Sequence, residues 1–215
     1  MTCPSRPIVP ASAPLPPNPW GDRRRLRVGL LGGSFNPAHA GHRYIALQAL
    51  RRLGLDQVWL LVSPQNPLKS PAETPPLPSR IESARAMAGR HPGLRVTGLE
   101  ARLGTRYTAD TLAGLIRRFP RIRFVWLMGG DNLLQIDRWA RWTEIFRSVP
   151  VAILARGPYS QRTLAAKAAR RFASFRFAAA AARGLAEARP PAWTYLPIRR
   201  HPASSTAVRA GRAAP

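Results

Sequence analysis

Two of the four histidines, His39 and His42, stand three residues apart in Gly32-Gly33-Ser34-Phe35-Asn36-Pro37-Ala38-His39-Ala40-Gly41-His42. That spacing puts both side chains on one face of a helical first turn, where both rings can donate hydrogen bonds to the same phosphate group. The two glycines let a ligand approach the backbone closely. The helix start adds unpaired N–H groups and the positive end of its dipole, a natural phosphate site. A lone histidine here would read as a cap or a surface residue, but a pair behind Gly32-Gly33 reads as phosphate chemistry. The segment lacks both the G-x-G-x-x-G dinucleotide fingerprint and the G-K-[ST] of a P-loop. A zinc pair is disfavoured, because no cysteine or carboxylate lies nearby to complete four ligands.

A second candidate stands near the C-terminus, Ala203-Ser204-Ser205-Thr206-Ala207-Val208-Arg209. Ser or Thr before a helical turn is an ordinary N-cap. Arg209, however, follows Ser205 by four residues and shares its face, where its planar fork can grip phosphate oxygens.

These residues need a frame. Short apolar strands are expected at Arg27–Leu31, Asp56–Ser63, Leu94–Thr97, Ile122–Met128, Val151–Ala155 and Trp193–Ile198. Helices are expected at Gly41–Gly54, Arg80–Arg90, Thr108–Phe119, in stretches up to Arg147, over the Ala- and Arg-rich Leu164–Arg189, and briefly at Ser204–Ala210. Asn66–Ser79 reads as a proline-rich loop. Alternating strands and helices predict an α/β fold, a single Rossmann-like open parallel sheet with helices on both faces. Near-continuous hydrophobicity in Asp56–Ser63 marks a strand covered on both sides. Ligands in such a sheet sit beyond the carboxyl ends of the strands, and both phosphate candidates fall there.

The first segment resembles the G-G-[ST]-F-[DN]-P-x-H-x-G-H signature of the nucleotidylyltransferase superfamily, and the second its I-S-S-T-x-[IV]-R motif, with Ala203 in place of Ile. The middle of the chain is similar to bacterial nicotinate-nucleotide adenylyltransferases in Ser63-Pro64-Gln65-Asn66-Pro67-Leu68-Lys69, Tyr107-Thr108-Ala109-Asp110-Thr111, Met128–Leu134 and Arg138-Trp139. The likeness runs from about Arg27 to Arg209. It implies adenylyl transfer from ATP to nicotinate mononucleotide, giving deamido-NAD and pyrophosphate. His39, His42 and Arg209 would then be catalytic. ATP would be bound by Gly32, Gly33, Ser34, Phe35, His39, His42, Gly129, Asp131 (at the ribose), Ser205, Thr206 and Arg209. The acceptor would meet Gln65, Asn66, Lys69, Thr108, Ala109 and Trp139. An indole such as Trp139 has the face on which a pyridine ring stacks. The N–H groups of Thr108 and Ala109 open a helix and suit a carboxylate, and Lys69 can reach phosphates from its loop. Which of Gln65 and Asn66 contacts the acceptor stays open. Magnesium is expected to arrive on the ATP phosphates, with no metal site built by the protein.

The 215 residues carry 34 basic and 10 acidic side chains, a net charge of +24. Of the basic residues 32 are arginine, and residues 156–215 hold 12 basic residues against one acid. Such a field attracts polyphosphates without saying which. With 45% hydrophobic residues a real core is available, which excludes wholesale disorder. The single cysteine, Cys3, excludes an intramolecular disulfide framework. Residues 1–25 read as a disordered Pro/Arg-rich tail and 26–215 as the nucleotidyltransferase domain. The tail has no apolar stretch of a secretory signal, so the expected location is cytoplasmic, and no run is long enough to span a membrane. The chain closes six residues after Arg209, so its last helix is expected to be short. The expected partners are ATP and nicotinate mononucleotide, with no specific nucleic acid and no membrane, in a monomer or small homo-oligomer. Rival acceptors are nicotinamide mononucleotide and phosphopantetheine. A remote alternative is a basic RNA-binding protein, suggested by Arg170-Arg171-Phe172-Ala173-Ser174-Phe175-Arg176-Phe177, whose aromatics could stack on bases. A helix that buries Phe172 and Phe175 and exposes its arginines explains the same letters.

Overall fold

The structure is a computed structural model that describes residues 25–64, 74–156 and 160–199 together with Ala203, Val208 and Gly211. Its strands are β1 (Arg27–Gly33), β2 (Gln57–Val62), β3 (Leu94–Thr97), β4 (Arg123–Gly129), β5 (Val151–Arg156), β6 (Arg176–Phe177) and β7 (Trp193–Ile198). They form one sheet in the order β3-β2-β1-β4-β5-β7-β6, and every pairing is parallel. Its α-helices are α1 (Ala40–Leu53), α2 (Leu77–Ala88), α3 (Leu99–Leu103), α4 (Thr108–Arg118), α5 (Gly130–Leu133), α6 (Trp142–Ser148), α7 (Ser160–Leu164) and α8 (Lys167–Arg171).

Alternation along each strand sends successive side chains to opposite faces. Val28, Leu30, Trp59, Trp126 and Trp193 pack on one face against Leu112 and Leu115 of α4, Phe146 of α6 and Ala168 of α8. Leu31, Val58, Leu60, Val125 and Leu127 pack on the other against Ile45 and Ala49 of α1 and Ala84 of α2. Both faces are covered, which explains why the central strands read as unbroken apolar runs.

The chain builds outward from β1 through β2 to β3, then returns to the other side of β1 with β4 and continues to β5 and β7. The strand order therefore reverses between β1 and β4, and the crevice beyond their carboxyl ends is where this architecture takes a ligand.

The expected helix over Leu164–Arg189 is not formed. Instead α8 is followed by a 3-10 turn at Ala173–Phe175, the short β6, and a 3-10 helix at Ala179–Glu187. The reason lies in which face each apolar residue serves. Ala168 and Phe172 belong to one side of the sheet, whereas Ala182, Leu185 and Ala186 belong to the other. The segment must pass around the edge of the sheet between them, and one straight helix cannot. Phe172 is buried and stacks on Phe146 with ring centroids 4.6 Å apart, but Phe175 remains 43% exposed. The Arg176 guanidinium lies 5.5 Å from the Trp193 ring and 5.8 Å from that of Tyr195. Of the letters behind the RNA alternative, Phe172 is thus buried in the core, while Arg176 lies exposed over the Trp193 and Tyr195 rings.

Candidate active site

β1 ends in Gly32 and Gly33, and the first of these has no room for a side chain. A Cβ on Gly32 would stand 2.6 Å from the indole of Trp126. Phe35 then adopts φ 46°, a left-handed conformation that bulky residues rarely take. Its buried ring packs against Gly33 and lies 4.8 Å, centroid to centroid, from the ring of His42.

α1 starts immediately afterwards with His39 as its N-cap. The His39 ring is 3% exposed, and its Nδ1 accepts the Gly41 backbone N–H at 3.1 Å. Reciprocally, His42 Nδ1 accepts the His39 backbone N–H at 3.3 Å. The two rings lie 3.8 Å apart and are tilted by 35°. This is a capping box built from imidazoles, and it has a chemical consequence. With both Nδ1 lone pairs taken by backbone donors, each neutral ring carries its proton on Nε2. Each is thereby made a hydrogen-bond donor through Nε2, at a helix end whose first turn holds no acidic residue to offset the positive dipole. Chemically, two such donors at a helix start can receive an anion.

Gly41 brings in the C-terminal segment. A Cβ there would stand 2.5 Å from the backbone oxygen of the buried Ala203 and 2.9 Å from His39 Nδ1. The residue opening the second sequence motif therefore packs directly on the first. Ser205, Thr206 and Arg209 themselves lie outside the described residues, as do Gln65, Asn66 and Lys69.

At the neighbouring strand end, Gly129 closes β4 and Gly130 opens α5. The carboxylate of Asp131 folds back over Gly129, occupying the space a Cβ would need. Trp139 is half-buried at the edge of the core, beyond the 3-10 turn Ile136–Arg138. α4 starts at Thr108 with no side-chain cap from Tyr107, so the N–H groups of Thr108 and Ala109 have no intrahelical partners. Arg141 Nη2 meets Asp110 Oδ1 at 2.5 Å, which ties this helix start to the turn carrying Trp139. The end of β1 and the start of α1 thus bring Gly32, Gly33, Phe35, His39 and His42 together, while the Arg141–Asp110 ion pair links the start of α4, with Thr108 and Ala109, to the turn after Trp139.

Two further buried charged residues escape a reading of the letters. Arg80 is 3% exposed and donates to four backbone carbonyls. Glu100, in α3, is 8% exposed. It accepts from Thr111 Oγ1 at 3.3 Å, and that hydroxyl is 2.9 Å from Thr105 Oγ1. Burial pushes the Glu100 carboxyl up from 4.5 to about 7, and the Thr111 hydrogen bond opposes the rise without cancelling it. The folded protein then retains a proton that the unfolded chain releases, so stability is highest below pH 4.5 on this account and falls as pH rises towards 7. Glu100→Gln should remove that decline. Urea unfolding at pH 8 should find the variant more stable by up to about 3 kcal/mol, with no gain at pH 4; an equal effect at both pH values would refute it.

An open parallel sheet with a glycine-rich strand end and paired imidazole donors at its switch point is the framework of a nucleotide-binding enzyme. Residues 30–211 match the cytidylyltransferase-like family. A Cereibacter sphaeroides protein named "Probable nicotinate-nucleotide adenylyltransferase" is 56% identical over 183 residues, which cover 85% of this chain and 96% of that one. A protein of the same name from a Caulobacter species is 51% identical over 184 residues, 86% of this chain and 97% of its own. The solved structure of Plasmodium falciparum nicotinic acid mononucleotide adenylyltransferase complexed with NaAD shares the fold. Its TM-score is 0.63 at 15% identity, over 86% of this chain and 82% of that one. The chain belongs to the nicotinate-nucleotide adenylyltransferases, within the cytidylyltransferase-like family.

Proposed function

We propose that the protein transfers the adenylyl group of ATP to nicotinate mononucleotide, releasing pyrophosphate and forming deamido-NAD. The observation that carries this assignment is the reciprocal His39–His42 cap, which presents two Nε2–H donors at the start of α1. An acceptor phosphate oxygen attacks the α-phosphorus of ATP in line, a new P–O bond forms, and the bond to the bridging oxygen of pyrophosphate breaks. No side chain forms a covalent intermediate. Catalysis is positioning together with neutralisation of charge on the phosphoryl oxygens.

In this scheme His39 and His42 donate to the transferring phosphate and the leaving pyrophosphate. Gly32, Gly33, Ser34 and Phe35 shape the wall beside the nucleotide, and Gly129 and Asp131 face the adenosine ribose. Ser205, Thr206 and Arg209 hold the β- and γ-phosphates, supported by the packing of Ala203 on Gly41. Trp139 stacks on the pyridine ring, Thr108 and Ala109 donate their N–H groups to its carboxylate, and Gln65 or Asn66 with Lys69 completes the acceptor side. Among the described residues no three His, Cys, Asp or Glu side chains converge on one point. We propose that a divalent ion, Mg2+ by its preference for phosphate oxygen and water, is carried on the triphosphate. When bound it neutralises phosphate charge. Among the described residues no helix is long and apolar enough to cross a membrane; the location we propose is the cytoplasm.

Pyrophosphate release from ATP and magnesium, measured with nicotinate mononucleotide, its amide and phosphopantetheine in parallel, tests the assignment. The highest kcat/KM is expected with nicotinate mononucleotide. A clear preference for either of the others would overturn the choice of acceptor, and silence with all three would overturn the reaction.

A further inference from the structure

We propose that Arg80 is a positioning residue for adenylyl transfer, its guanidinium locking the ATP-side loop after β1 and the acceptor-side end of β2 into one unit. The inference rests on the activity assigned above. Arg80 Nη1 donates to the carbonyl of Ser34 at 2.9 Å and to that of Ser63 at 2.7 Å. Nη2 donates to Pro64 at 2.8 Å, and Nε to Pro75 at 2.8 Å. Ser34 follows the Gly32-Gly33 strand end, Ser63 and Pro64 follow β2, and Pro75 leads into α2. β1 and β2 are adjacent, with Gly33 paired to Val62. One side chain on a helix behind the sheet thus sets the spacing of two strand exits that open on opposite substrates.

Its chemistry is unusual for a structural arginine. The guanidinium is almost wholly buried, yet no carboxylate pairs with it among the described residues. Burial lowers its pKa with no ion pair to oppose the shift. Four carbonyl dipoles take the place of a counter-ion, using four of its five N–H groups. That geometry requires the planar fork; a lysine ammonium offers three donors from one point and cannot span the same acceptors. Because every acceptor is a backbone carbonyl, the contact fixes main-chain position, which is what the alignment of two phosphate-bearing substrates demands.

The test is steady-state kinetics of the full chain and of Arg80→Lys and Arg80→Gln, with near-UV circular dichroism recorded at the assay temperature. A purely structural role would reduce the folded fraction, which scales kcat and leaves KM unchanged. Positioning predicts that folded Arg80→Lys shows KM raised about ten-fold or more for both ATP and nicotinate mononucleotide, with no rescue by the retained charge. KM values within two-fold of the unaltered chain would contradict the inference. So would loss of the fold in both variants, which would make Arg80 a folding residue. If the unaltered chain itself shows no turnover with these substrates, the assigned activity fails instead.

Discussion

Replacing His42 with alanine should reduce kcat by roughly a hundred- to a thousand-fold, the usual cost of deleting one preorganised donor to developing phosphoryl charge, while the protein stays folded. The ring has two functions at once. Its Nδ1 accepts the His39 N–H at 3.3 Å, which orients the neighbouring cap, and in the proposed mechanism its Nε2–H donates to phosphate. Loss of the cap alone costs about 1 kcal/mol, tolerable for a domain with 5–15 kcal/mol of stability. Loss of the donor is not tolerable to a reaction that depends on charge neutralisation. Thermal unfolding should therefore move by only a few degrees while turnover collapses. A His42→Ala protein within a few-fold of normal kcat would show that the imidazole pair is a cap and nothing more.

Gly41→Ala should be almost as damaging, for a steric reason. Helix propensity favours alanine over glycine by about 1 kcal/mol, so on local grounds the change would stabilise α1. The added Cβ, however, would stand 2.5 Å from the Ala203 oxygen and 2.9 Å from His39 Nδ1. Backbone cannot yield as a flexible side chain can, so either α1 or the segment at Ala203 must move by around an ångström. A displacement of that size is enough to cost about a hundred-fold in rate. The expected result is kcat/KM reduced to about one hundredth with a near-normal melting temperature. Retained activity would mean that the contact between the two motifs is incidental.

How much of this was legible in the letters depended on distance along the chain. The Gly32–His42 segment concentrates strand end, glycines and paired histidines in consecutive residues, so its place beyond β1 and at the start of α1 follows from local spacing. Even there, the histidine tautomers required the structure, because they rest on which backbone N–H each ring accepts. Arg80 was not legible at all. In a chain with 32 arginines, one in a helix reads as a solvated side chain, and only the convergence of four carbonyls from three segments of the chain reveals its burial. Glu100 hid in a five-residue helix with no sequence periodicity of its own. The two-residue β6 and the 3-10 path after it were missed because alanine-rich sequence favours helix locally, whereas the need to serve both faces of the sheet is a tertiary demand. Phe175 shows the same limit: a helix over this segment would bury it beside Phe172, and its position at the sheet edge leaves it exposed.

The most direct test follows the reacting phosphorus. ATP labelled with 32P at the α-position is incubated with magnesium, nicotinate mononucleotide and the protein, and the label is traced in a single turnover. In-line transfer guided by His39 and His42 predicts label in deamido-NAD, unlabelled pyrophosphate as the other product, and none on the protein at any time. Label trapped covalently on the protein, or left in ATP and AMP with no dinucleotide formed, would contradict it.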